Sequence, residues 1–170
     1  MNRRRSVPLL AVPLLMLLAT PVLAQQSGGP NLGWNGWGVQ VGLTSDPDQV
    51  YAGVHFHLGE FARNVRVRPT VEIGSGDDAT LLQALFEVHY VFSKVQVWKP
   101  YVGGGAGFNY VKFDLPAGAQ GDDTDTDVSL MGVGGVQTKL KSGTGFFFEG
   151  KVGLTDDDPD FKVGVGWSWK

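Results

Sequence analysis

The chain has 170 residues, with 14 Lys and Arg against 17 Asp and Glu, and no cysteine. An acidic balance argues against a nucleic-acid partner, which needs a basic face, and the missing cysteine rules out a disulfide framework. Glycine is abundant at 25 residues and charged residues are few at 18%, a glycine-rich, aromatic-rich β composition rather than a disordered or collagen-like one.

Residues 1–24 read as a secretory signal peptide. Arg3, Arg4 and Arg5 form a basic start, Leu9 to Leu18 an apolar run broken by Pro13, and Val22 and Ala24 a small-residue cleavage site. Cleavage after Ala24 leaves eleven Lys and Arg against seventeen acids, a net charge of −6. Residues 25–33 make a short N-terminal segment, and residues 34–170 are expected to form one barrel domain. No later stretch is apolar and long enough to cross a bilayer as a helix.

From Trp37 onward the chain alternates with period two, the pattern of strands with two unlike faces. The first segment sets Trp37, Val39, Val41 and Leu43 against Gly38, Gln40, Gly42 and Thr44. The second sets Val50, Val54 and Phe56 against Tyr51, Gly53, His55 and His57. The third sets Val67, Val71 and Ile73 against Arg66, Arg68, Thr70 and Glu72, with Pro69 marking a bulge or a break in pairing. The fourth, from Leu82 to Tyr90, carries Gln83, Glu87 and His89 on its polar face. The fifth, about Pro100 to Phe113, has a polar face of Gly103, Gly105, Gly107 and Asn109. The sixth, about Asp127 to Leu140, is ambiguous, and its Gly132, Gly134 and Gly135 suggest a bulge. The seventh sets Phe146, Phe148 and Val152 against Phe147, Glu149 and Lys151. The eighth sets Phe161, Val163, Val165, Trp167 and Trp169 against Lys162, Gly164 and Gly166.

Eight segments of about ten residues each, with no helix between them, predict an all-β, eight-stranded, antiparallel, up-and-down transmembrane barrel. Three features point the apolar face outward. The polar face is glycine with isolated charges, which suits a lumen just wide enough for side chains to fill. All five tryptophans, Trp34, Trp37, Trp98, Trp167 and Trp169, fall at one rim of such a barrel. Tyr90, Phe92 and Tyr101 are placed with them as an interfacial girdle, with Tyr110 and Phe113 at the other rim. The thirteen aspartates all lie in or beside the first, third, fifth and seventh connections, while Arg63, Lys94, Lys99, Lys139 and Lys141 occupy the other three.

On these features the chain from Trp34 to its end resembles the OmpA-like or opacity-like outer-membrane β-barrel family. The resemblance rests on the export signal, the eight strands, the run Tyr101-Val-Gly-Gly-Gly-Ala-Gly-Phe108 and an aromatic last strand. It implies outer-membrane lipid and lipopolysaccharide as surroundings, periplasmic termini with acidic loops outside, and insertion by the barrel assembly machinery. That machinery reads a terminal aromatic residue, and here Trp169 is followed by Lys170.

The expected lumen carries Arg66, Arg68, Glu72, Glu87, Glu149, Lys151 and Lys162, read as a paired network that fills the barrel, or else as a gate. His55, His57 and His89 lack further inward ligands for a metal site, and no cofactor motif is present. Asp123, Asp125 and Asp127 resemble the start of a calcium loop, but Val128 and Gly134 stand where glycine and glutamate are required. Weak divalent-cation contact at the acidic loops remains open. No serine is placed beside a histidine, so no catalysis is expected. The sequence points to a structural or surface-interaction protein. A small-solute pore of the OmpW kind, a lipid-modifying barrel enzyme and a soluble periplasmic ligand-binding barrel are the rival readings.

Overall fold

The computed structural model describes residues 29–76, 79–95, 97–113 and 124–170. The expected signal peptide and its cleavage site lie outside the described residues, as do Asp77, Asp78, Asp114, Asp122 and Asp123 and the side chain of Phe113.

Ten strands and no helix are formed among the described residues: β1 (Asn31–Leu32), β2 (Trp37–Ser45), β3 (Gln49–Phe56), β4 (Gly59–Ala62), β5 (Val65–Ser75), β6 (Ala79–Val91), β7 (Lys99–Phe113), β8 (Thr124–Lys139), β9 (Gly145–Gly153) and β10 (Phe161–Trp169). Eight of these, β2, β3 and β5 to β10, run antiparallel in chain order and close on themselves. The seam is the β10–β2 ladder, unbroken from Phe161–Ser45 to Trp169–Trp37. Closure leaves none of these eight strands with a free edge.

The period-two pattern sorts the side chains. Outward positions carry large apolar groups that stay uncovered, among them Val50 at 64%, Phe108 at 62% and Leu154 at 65% exposure. Inward positions carry buried polar ones, among them Gln40, Arg68, Glu72, Glu87, Asn109 and Lys151. A barrel that buries its charges and exposes a continuous apolar belt is built for a hydrocarbon solvent. The arrangement is the reverse of a soluble ligand-binding barrel.

Of the two expected irregularities, the one at Pro69 is present and the one at Gly132–Gly135 is not. Pro69 pairs across β5–β6 with Phe86, but lies just beyond the last β3–β5 pair, His55–Thr70. There β3 ends, and residues 57–58 lead into β4. Leu58 N–H donates to Val67 O at 3.1 Å, and the N-terminal segment joins alongside, with Asn35 N–H donating to His57 O at 2.8 Å. β1 then pairs with β4, so a small flap extends the rim. The bulge expected at Gly132–Gly135 does not form. The β7–β8 register runs without a shift from Lys99–Gln137 to Lys112–Thr124, because alternation continues through the glycines, with Met131 and Val133 inward and Leu130 outward.

Candidate functional site in the lumen

The inner wall sets each buried lumen glutamate beside a glycine. Glu72 lies across the ladder from Gly53, Glu87 from Gly105, and Glu149 from Gly135. A Cβ on Gly53 or on Gly105 would come within 2.8 Å of the facing glutamate's Cγ. Gly53 and Gly105 are therefore spaces that Glu72 and Glu87 occupy, while Gly42 and Gly164 make room for the Tyr51 ring, Gly135 for Tyr101 and Gly166 for Phe147. This is how a narrow eight-stranded lumen holds six charged side chains.

Those six are Arg68, Glu72, Glu87, Glu149, Lys151 and Lys162, all buried. Arg68 Nε donates to Glu87 Oε2 at 2.9 Å, and its Nη2 reaches Glu87 Oε2 and Glu149 Oε2, both at 2.6 Å. Lys151 Nζ donates to Glu72 Oε1 at 2.6 Å and Glu87 Oε1 at 2.7 Å. Lys162 donates to the other oxygen of Glu72 and to Gln83 Oε1, the latter at 2.9 Å. Three cations and three carboxylates thus form one neutral, interlinked cluster. Neutral groups take up spare valences: Tyr101 Oη donates to Glu149 at 2.7 Å and Gln40 Nε2 to Glu72 at 2.5 Å. The Lys162 ammonium stands 4.5 Å above the Tyr51 ring, and the Arg68 guanidinium 5.1 Å from Phe147.

Above this cluster, toward the acidic connections, a second group closes the lumen. The β9–β10 connection folds into the mouth and inserts Asp158. Its Oδ1 accepts from Ser129 Oγ at 2.5 Å and Asn109 Nδ2 at 2.9 Å. Its Oδ2 accepts from Leu130 N–H at 2.9 Å and Thr155 Oγ1 at 2.7 Å. Burial works to raise the Asp158 pKa, but the hydrogen bonds from Ser129, Thr155, Leu130 and Asn109 outweigh it and hold the carboxyl below its usual range.

Arg66 stands apart from the six. It is half-exposed near the rim, 3.4 Å from Glu60 and from Gln137. Tyr101, placed with the aromatic girdle by its position in the chain, is instead 3% exposed inside the lumen. It has the parity of Gly103, and its ring stacks on His89 at 5.0 Å. The tryptophans face outward at the rim where β2 begins and β10 ends. Trp37 packs on Trp169 at 5.3 Å, Trp34 on Phe56 at 5.7 Å, and Trp98 and Trp167 both on Phe146, at 6.1 Å and 5.7 Å. Tyr90 and Phe92 join them.

The sequence reading missed Tyr51, Gln40 and Gln83 as partners in the cluster, although their parity placed them on the polar face. Asp158 had no local signal, since only the fold of its loop brings it to Ser129. His55 and His57 meet edge to face at 5.1 Å, while His89 lies 3.1 Å from Glu87. Among the described residues no three His, Cys, Asp or Glu side chains are grouped to hold a metal ion.

A closed antiparallel barrel with a charged, filled interior and an aromatic-rimmed apolar exterior defines a transmembrane barrel of the outer-membrane class. The chain belongs to the family of outer membrane protein beta-barrel domains, which it matches over residues 10–168. Its fold is similar to that of Neisserial surface protein A (NspA), with a TM-score of 0.61 at 13% identity over 79% of this chain and 94% of that one. It is also similar to the N-terminal β-barrel domain of Pseudomonas aeruginosa OprF, with a TM-score of 0.59 at 13% identity over 81% of this chain and 99% of that one. No curated protein matches the sequence. The family and the shared fold place the protein in the bacterial outer membrane.

Proposed function

We propose that this protein is a non-conducting anchor, a rigid barrel that presents acidic loops at the cell surface. The observation that carries this reading is the neutral cluster of Arg68, Lys151 and Lys162 with Glu72, Glu87 and Glu149, which occupies the lumen cross-section. Opening it means separating buried ion pairs, a cost of several kcal/mol per ion.

On this reading the signal peptide over residues 1–24 directs export, and the barrel assembly machinery inserts the chain with both termini periplasmic. The aspartate-bearing connections then face outward, where divalent cations bridge them to lipopolysaccharide phosphates. The barrel carries out no catalysis. Ser129, the one serine in the middle of a strand, commits its hydroxyl to Asp158 and accepts from Gln83 at 3.0 Å, so it has no histidine base.

Planar-bilayer recording on protein whose migration shifts on boiling tests the proposal. The expected result is a folded barrel without stepwise conductance. Regular conductance steps would overturn it in favour of a small-solute pore. A changed lipid A mass in cells carrying the protein would overturn it in favour of a lipid-modifying enzyme.

A further inference from the structure

Among the described residues, the end of the barrel where β2 begins and β10 ends is open beyond the charged cluster. A vestibule of about 660 Å³ lies inside this rim, with Arg66, Lys99, Lys139 and Lys170 on its walls, set against the Glu60 side chain and the Lys170 α-carboxylate. It narrows into a smaller space of about 40 Å³ bounded by Arg68, His89 and Tyr101. The vestibule is therefore a blind funnel with a closed floor.

Its charge is poorly compensated. Arg66 reaches Glu60 only at 3.4 Å, with both side chains about two-fifths exposed at 42% and 43%. Among the described residues, Lys99, Lys139 and Lys170 form no ion pair with a side chain. This holds in a chain whose acids outnumber its bases and whose described aspartates are all at the other end. Positive charge that the lumen cluster so thoroughly neutralises is left free here, in a concave space with low-dielectric walls that concentrate its field.

We propose that this vestibule binds an organic phosphate. Cations from three separate strands, β5, β7 and β8, converge on one space, with Asn35, Gln137 and Ser168 as neutral groups beside them. A phosphoryl group has enough oxygens to engage several of these at once, whereas a single carboxylate satisfies one or two. The volume falls within that of small-molecule sites and leaves room for an organic substituent against Val67 and Val97. A soluble phosphate ester and the headgroup of an anionic phospholipid share this chemistry.

The test uses the folded barrel in zwitterionic detergent at low salt, titrated calorimetrically with sn-glycerol 3-phosphate. Saturable one-to-one binding is expected. Loss of two charge-assisted contacts in Lys99→Gln/Lys139→Gln should weaken it by about tenfold or more. Lys112→Gln, at the opposite end, should leave it unchanged. Boiling-dependent migration checks that each variant is folded, and the two single variants, each expected to bind more weakly, replace the double one if it does not fold. A second arm compares nanodiscs of phosphatidylcholine with discs containing phosphatidylglycerol. Binding abolished by phosphatidylglycerol identifies the headgroup as occupant, and binding that persists identifies the soluble ester. No saturable binding, equal binding by the double variant, or equal weakening by Lys112→Gln overturns the proposal.

Discussion

Arg68 on β5 and Glu149 on β9 stand four strands apart in either direction around the barrel, and their side chains meet at 2.6 Å. Lys151 and Glu72 link the same two strands in the opposite sense, at 2.6 Å. The cluster is thus a pair of crossbars of reversed polarity, tied together through Glu87. Each bar spans the full width of the lumen, and together they fix the diameter and the relative height of opposite walls.

Cutting one crossbar on one side should therefore cost more than removing it whole. Glu149→Gln leaves three cations, Arg68, Lys151 and Lys162, facing two carboxylates, and a destabilisation of about 3–5 kcal/mol is expected for an uncompensated buried charge. Arg68→Met/Glu149→Met keeps the cluster neutral and should lose less than the sum of the two single changes. Urea unfolding in lipid vesicles, followed by the fraction of heat-shifted protein, measures the coupling. Additive losses would show that the charges do not act as a unit.

Neighbouring glycines on β8 should respond in opposite ways to the same substitution. A Cβ on Gly135 would sit 2.7 Å from the Tyr101 ring and hydroxyl, whereas one on Gly134 meets nothing within 4 Å. Gly135→Ala is expected to displace Tyr101 from Glu149 and destabilise the barrel by about 1–3 kcal/mol, as overpacking does. Gly134→Ala should be neutral or stabilise by a few tenths of a kcal/mol, through a less flexible unfolded chain. The same unfolding assay separates the two.

The loop that closes the acidic mouth should loosen in acid. The Asp158 carboxyl is held below its usual range by its four donors, so its contribution is complete above the unfolded-state pKa of about 3.9. It declines as pH falls below that value, and it is gone once pH passes through the lower folded-state pKa. Amide exchange at Leu130, whose N–H donates to Asp158 Oδ2 at 2.9 Å, reads this directly. Protection beyond the intrinsic pH trend should hold down to about pH 4 and drop below it. Asp158→Asn should be less protected throughout. Protection that ignores pH would place the restraint in the backbone alone.

How much of this was legible follows from what each feature depends on. Parity along a strand is local, so the facing of Arg68, Glu72, Glu87, Glu149, Lys151 and Lys162 could be read directly from the sequence. Which of them touch depends on shear around the barrel, which brings β5 and β9 side chains to one level, and parity says nothing about shear. Tyr101 shows two local signals in conflict. Its place at the start of β7 suggested the interfacial rim, while its parity with Gly103 put it inside, and the space at Gly135 decided the matter. The glycine run 132–135 resembled a bulge because glycine weakens the alternation that reveals register, although the ladder itself is continuous. Asp158 was beyond reach, because a loop's fold has no period to read.

All five tryptophans of the chain lie at the rim where β2 begins and β10 ends, so its indole fluorescence reports on that rim alone. Trp34, Trp37, Trp98 and Trp169 are each at least 39% exposed on the outer surface, and aromatic side chains of this kind settle at headgroup depth. In vesicles of brominated lipid, quenching should therefore be strongest with bromines near the headgroup and weak with bromines at the bilayer centre. The paired rings Trp37 and Trp169 make the result specific. Trp169→Phe should lower the intensity while leaving the depth profile unchanged, since the remaining four share its level. Strong quenching from the bilayer centre would mean that this rim is not at the interface. The apolar belt would then have to be centred nearer this rim than the lumen cluster.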